Sequence, residues 1–86
     1  MASVDEVRAG IGQANEKAKE SFAALQQAIS SLEQAQAALA AATQGSQQGD
    51  ADQAKGLLAN ATRAIGEAQQ SVTAAIDTAD GYAQRL

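Results

Sequence analysis

Two pairs of carboxylates in this sequence have a spacing that could support chemistry. Glu16 and Glu20 lie four residues apart, and Asp77 and Asp80 lie three apart, so each pair would share one face of a helix. Binding a divalent cation, or general acid–base catalysis, would also require further ligands and a cleft that excludes water. The chain has no cysteine and no histidine, which removes the usual zinc ligands and thiol catalysis. We therefore interpret both pairs as solvated surface and expect no enzyme, catalytic residue, metal, cofactor or small-molecule substrate.

Two other features allow a functional and a structural interpretation. The segment Asp50-Ala51-Asp52 lacks the length and the later glutamate of a calcium-binding loop. Asp50 with Gln53 three residues on is instead typical of a helix N-terminus. Tyr82, the only tyrosine, could be a recognition residue, but its place in the apolar pattern favours a role in the core.

The composition favours helices and argues against several classes of partner. Alanine, a strong helix former, supplies 23 of the 86 residues, and proline is absent. The net charge of −4 argues against nucleic acid and against anionic membrane surfaces. No apolar run approaches the ~20 residues that span a bilayer, and the first residues do not resemble a signal peptide. We expect a protein that is cytoplasmic, or exported without a cleavable signal peptide.

Capping and periodicity predict two helices in a single domain over residues 1–86. Ser3 with Glu6 forms a capping box, and Gly45 suits the left-handed conformation that ends a helix. The predicted elements are a helix over 4–43, a turn over 44–50 and a helix over 51–85. Apolar residues recur at alternating spacings of three and four, the pattern of a coiled-coil seam. The predicted seam contains Val4, Val7, Ile11, Ala14, Ala18, Ser21, Leu25, Ala28, Leu32, Ala35, Leu39 and Ala42, then Ala54, Leu58, Ala61, Ile65, Ala68, Val72, Ala75, Ala79, Tyr82 and Leu86.

These elements predict an all-α, two-helix antiparallel hairpin, an alanine-rich coiled coil. A turn centred between Ser46 and Gln47 pairs residues whose numbers sum to 93. Six consecutive layers then match one large residue with one small residue, as in Leu32 opposite Ala61. Such alternation lets two helices pack at close range.

Four large apolar residues fall beside this predicted seam, on flanks that carry no acid. They are Phe22, Ile29, Leu57 and Ile76. They could thicken the hairpin's own core, or they could form a partner interface. We favour the interface, because one facing helix cannot cover both the seam and its flanks. The expected partner is a second copy, giving a homodimeric four-helix bundle, or another helical protein.

The length, the helical hairpin and the absence of cysteine resemble the WXG100 (ESX-type) family, small bacterial partners of type VII secretion systems. The turn reads Gln44-Gly45-Ser46 without tryptophan, and Leu86 follows Tyr82 where that family's export signal has an acid. The resemblance implies a secreted partner or an adaptor for an effector. The predicted function is a helical protein–protein interaction module. The alternative is a structural alanine-zipper spacer or a subunit of a larger assembly.

Overall fold

The computed structural model consists of two long antiparallel helices and describes residues 2–45 and 49–86. Helix α1 spans Val4–Ala42 and helix α2 spans Gly49–Arg85. Together they form a rod with principal-axis extents of 64 × 18 × 14 Å. The predicted all-α helical hairpin is confirmed.

Local hydrogen bonds fix both ends of α1. The Ser3 hydroxyl accepts a hydrogen bond of 3.1 Å from the Glu6 backbone N–H, so α1 begins at the predicted residue. At the other end the Thr43 hydroxyl donates to the Leu39 carbonyl at 2.7 Å. The helix ends at Ala42, one residue earlier than predicted. Gly45 has a φ of 82°, the left-handed conformation predicted for it, which favours glycine because it has no Cβ.

Helix α2 begins at Gly49, two residues before the predicted start. Asp50 therefore lies inside the first turn and is not the N-cap residue that the sequence suggested. Its carboxylate still carries the charge that the positive end of the helix dipole favours. The predicted centre of the turn, between Ser46 and Gln47, lies outside the described residues. The helix ends at the predicted Arg85, where a basic group is favourable.

Hydrogen bonds between the helices report the register of the hairpin. The Arg8 guanidinium donates to the Ala83 carbonyl at 3.2 Å, and the Gln69 amide donates to the Gln26 side chain at 3.0 Å. The residue numbers of these pairs sum to 91 and 95, which brackets the predicted value of 93. The helices therefore lie within about one residue of the predicted alignment along the rod.

The rotation of the helices about their own axes differs from the prediction. Most of the large seam residues are half-buried as expected, including Ile11, Leu25 and Leu32 in α1, but Val4, Tyr82 and Leu86 at the open end are exposed. Several small residues placed in the seam are exposed instead: Ala14, Ser21, Ala35 and Ala42 in α1, and Ala75 in α2. The residue that follows each of them is more buried in four of these five cases: Asn15, Gln36, Thr43 and Ile76.

The physical reason for this rotation is the size of the side chains available on each side of the seam. Compared with the prediction, each helix is rotated about its own axis by roughly half of the angle between successive residues. This rotation brings Phe22, Ile29 and Ile76 toward the opposite helix. Each buried methylene contributes about 0.8 kcal/mol, so isoleucine and phenylalanine gain more from contact than alanine does. The matching of large and small residues in the predicted layers was therefore outweighed by total apolar burial.

Candidate functional site

Rotation of the seam gives the rod two unlike flanks, one on each side of the line where the helices meet. The polar flank carries the described hydrogen bonds between the helices and has charged side chains along it. Its residues are Arg8, Asn15, Lys19, Gln26, Glu33, Gln69, Thr73, Asp77 and Asp80. The neutral flank lies opposite, and its exposed residues include Ala14, Ser21, Ala24, Ser31, Ala35, Ala38, Leu57, Ala64, Ser71, Ala75, Thr78 and Tyr82. The charged residues that border the neutral flank are Lys17 in α1, and Asp50 and Arg85 near the two ends of α2.

Asn15 is the one buried residue in the part of the chain that the structure describes, with 7% of its surface exposed. Its side-chain amide donates a hydrogen bond of 2.6 Å to the Asp80 carboxylate. A buried amide without a partner would be costly, so this bond favours one alignment of the two helices. Asn15 was not among the residues predicted to matter, although an asparagine four residues after Ile11, at seam spacing, is a known signal for register control.

We predict that replacing Asn15 relaxes the register of the hairpin. Asn15→Ala should lower the free energy of unfolding by about 1–2 kcal/mol, because it removes a hydrogen bond to a charged group. Asn15→Leu should recover that loss through apolar burial, yet admit shifted alignments. Urea denaturation gives the stability, and broadened amide NMR signals around Asp80 would report the mixed alignments. If Asn15→Ala lowered the free energy of unfolding equally in the wild-type protein and in the Asp80→Ala variant, the hydrogen bond between Asn15 and Asp80 would not have the proposed role.

The first carboxylate pair, Glu16 and Glu20, forms local contacts with lysines on the surface of α1. In the second pair, Asp80 accepts the hydrogen bond from Asn15 across the hairpin. Lys17 lies 3.4 Å from Glu20, and Lys19 lies 3.8 Å from Glu16, each pair largely exposed. Exposed ion pairs of this kind contribute ~0–1 kcal/mol. Over the described residues, no group of three or more acidic side chains is placed to hold a metal ion. In the same part of the chain, neither helix is long and apolar enough to cross a membrane.

The structure brings together only some of the four residues predicted for the partner interface. Phe22, 37% exposed, and Ile76 line one open hollow of about 210 Å³ on the polar flank, beside Lys19 and Asp77. Ile29 is half-buried between the helices. Leu57 is 61% exposed and lies on the neutral flank. At ~1.5 Å per residue it is about 28 Å from Ile76 along α2, so the four side chains do not form one patch.

Tyr82 also differs from its predicted place. The sequence put it in the seam, whereas its side chain is on the neutral flank and 49% exposed. The exposed large side chains of this flank are therefore Leu57 near the turn and Tyr82 near the open end of the rod. A recognition role, the interpretation that the apolar pattern disfavoured, suits this exposure.

No protein-family model, curated protein or solved structure matches this chain. The surface of the hairpin has an open hollow at Phe22 and Ile76, a polar flank and a long flank that is uncharged between its ends. It is suited to contact with another extended surface.

Proposed function

We propose that this protein is a non-catalytic helical interaction module, which works by packing its helices against another helical surface. One observation carries the proposal. Among residues 2–45 and 49–86 no hydrophobic residue is buried, while Val4, Leu57 and Tyr82 are 47%, 61% and 49% exposed. A hairpin with so thin a core gains stability from any partner that covers its apolar residues.

The hairpin exposes more surface than a compact protein of the same mass. The chain exposes 6106 Å², whereas a compact protein of 8.7 kDa exposes about 4,700 Å². The excess of roughly 1,400 Å² exceeds the ~800 Å² per partner that a standard stable interface buries. The radius of gyration, 19.4 Å against about 12 Å for a compact chain of this length, has the same origin. Association would therefore restore a normal ratio of buried to exposed surface.

The partner that fits this surface best is a second copy, or another helical protein of similar shape. Two alanine-rich coiled-coil hairpins packed together would form a four-helix bundle with a shared core. The exposed apolar side chains on the flank that the partner covers would then lose contact with water, and the acidic residues on the outer faces would remain outside. A role as a secreted partner or effector adaptor, which the WXG100 resemblance implies, would use the same surface.

Sedimentation equilibrium at micromolar concentration tests the proposal. We expect a mass of about twice 8.7 kDa, and a thermal midpoint that rises with protein concentration as mass action requires. Circular dichroism at each concentration shows whether the chain is folded. A folded monomer that melts cooperatively at low micromolar concentration would overturn self-association as the basis of the proposal.

The alternative is a structural spacer or a subunit of a larger assembly. The 64 Å length of the rod favours it, because a long rigid hairpin can hold other parts apart. The two functions differ in how association ends. A closed dimer of fixed mass supports the interaction module, while mass that grows without limit as concentration rises supports the assembly subunit.

A further inference from the structure

We infer that the neutral flank is the docking surface for a second copy of this chain. The two copies would pack antiparallel, with α2 lying on α2 and α1 on α1. This inference rests on the proposed function, and it adds the face, the orientation and the residues that meet. It also moves the contact away from Phe22 and Ile76 to Leu57 and Tyr82.

Charge separates the two flanks as docking surfaces. The polar flank presents Lys19, Asp77 and Asp80, and burying charges without matched partners is strongly unfavourable. From Ala24 to Ala42 and from Leu57 to Tyr82, the neutral flank presents no charged side chain. Its alanines and serines allow a second pair of helices to approach to the lower end of the 8–10 Å range. The neutral flank is therefore the side that can be desolvated at low cost.

The area of this face suits a second copy. The flat side of the rod measures 64 by 18 Å, a footprint of about 1,150 Å². Full overlap with an identical rod therefore provides more than the ~800 Å² per partner of a standard interface. A shorter helical partner would leave part of the uncharged face exposed, whereas a copy matches it end to end.

The positions of the two large side chains select the antiparallel orientation. A two-fold axis through the middle of the rod, perpendicular to its length, places α2 against α2 of the second copy. A residue of α2 in one copy and a residue of α2 in the other then lie at the same height along the rod when their numbers sum to 139. This pairs Leu57 with Tyr82 of the second copy. The centre of that pairing lies near residue 70, within about three residues of the midpoint of α2, so the rods overlap almost completely. Each large side chain fills the space beside the other, and alanines meet alanines between them.

Disulfide trapping tests the face and the orientation together. Ala64 and Ala75 are exposed on the neutral flank, and their numbers also sum to 139. The full-length double variant Ala64→Cys/Ala75→Cys should form a covalent dimer under mild oxidation at micromolar concentration. The two sites lie about 16 Å apart along one helix, too far for a disulfide within the chain. The sequence has no other cysteine to compete.

A matched control pair of cysteines tests whether the copies meet through the polar flank instead. Gly66→Cys/Thr73→Cys also sums to 139 but lies on the polar flank, and open space surrounds Gly66. We expect it to remain mainly monomeric on a non-reducing gel. Efficient trapping of this pair, with none at positions 64 and 75, would overturn the inferred face while leaving the proposed function intact.

A second measurement avoids any dependence on disulfide geometry. Ala75→Glu places a charge on the neutral flank and should raise the dissociation constant of the dimer at least tenfold. Ala74→Glu, one residue away and directed outward, should change it less than about twofold. Circular dichroism should show equal helicity for both. An unchanged dissociation constant for Ala75→Glu would refute the inferred face, and a monomeric wild-type protein would refute both the inference and self-association.

Discussion

A disulfide between positions 32 and 61 should form within one chain and strongly stabilise the hairpin. Leu32 and Ala61 are both half-buried, and their numbers sum to 93, the value that the hydrogen bonds between the helices bracket. Closing a loop of about 30 residues reduces the entropy of the unfolded chain, which corresponds to about 3.5 kcal/mol. For a protein of this size we expect the melting temperature of the oxidised Leu32→Cys/Ala61→Cys variant to exceed that of its reduced form by roughly 15 °C.

The control for this prediction shifts one position by a heptad. Leu32→Cys/Ala68→Cys displaces the second thiol by about 10 Å along α2, beyond the reach of a disulfide without backbone movement. Mass spectrometry under oxidising conditions distinguishes an internal disulfide from free thiols or a covalent dimer. If only the shifted pair closed internally, the register described for this hairpin would be incorrect.

Truncating Phe22 together with Ile29 should destabilise the hairpin, whereas truncating Leu57 should act on association. Phe22 is 37% exposed and Ile29 is half-buried. Truncating each to alanine should therefore cost only part of the ~2–5 kcal/mol that is typical of buried residues. We expect the double variant to lower the free energy of unfolding by roughly 3 kcal/mol. Leu57, 61% exposed, contributes little within one chain. Leu57→Ala should instead raise the dissociation constant about tenfold, as expected for an apolar anchor.

Both effects are measured on the same set of variants. Urea denaturation at two protein concentrations separates the stability of the hairpin from the contribution of dimerisation. Glu20→Gln is the control, because its exposed carboxylate should affect neither quantity. If Phe22→Ala/Ile29→Ala left the folding free energy unchanged and abolished association, these side chains would belong to the interface that the sequence suggested.

The helices, the antiparallel hairpin and its alignment along the rod could all be predicted from the amino-acid sequence. These features depend on local and periodic information. Ser3 with Glu6 specifies where α1 begins, and Gly45 has the positive φ that its position near the helix end suggested. The recurrence of Ile11, Leu25 and Leu32 identifies the buried side of α1, with an error of less than one turn in the rotation of the helix about its axis.

The rotation of each helix about its own axis, and therefore which flank remains free, could not be predicted without the packed hairpin. A spacing of three and four residues is satisfied almost equally by Ala14 or Asn15, by Ser21 or Phe22, and by Ala75 or Ile76. Choosing between these neighbours requires the summed burial of both helices at once, including the buried amide of Asn15 and its bond to Asp80. The summed burial favours the rotation that turns the larger side chains, such as Phe22 and Ile76, toward the opposite helix, because the stabilisation is proportional to the apolar area covered. Leu57 and Tyr82 are left on the uncharged side as a consequence.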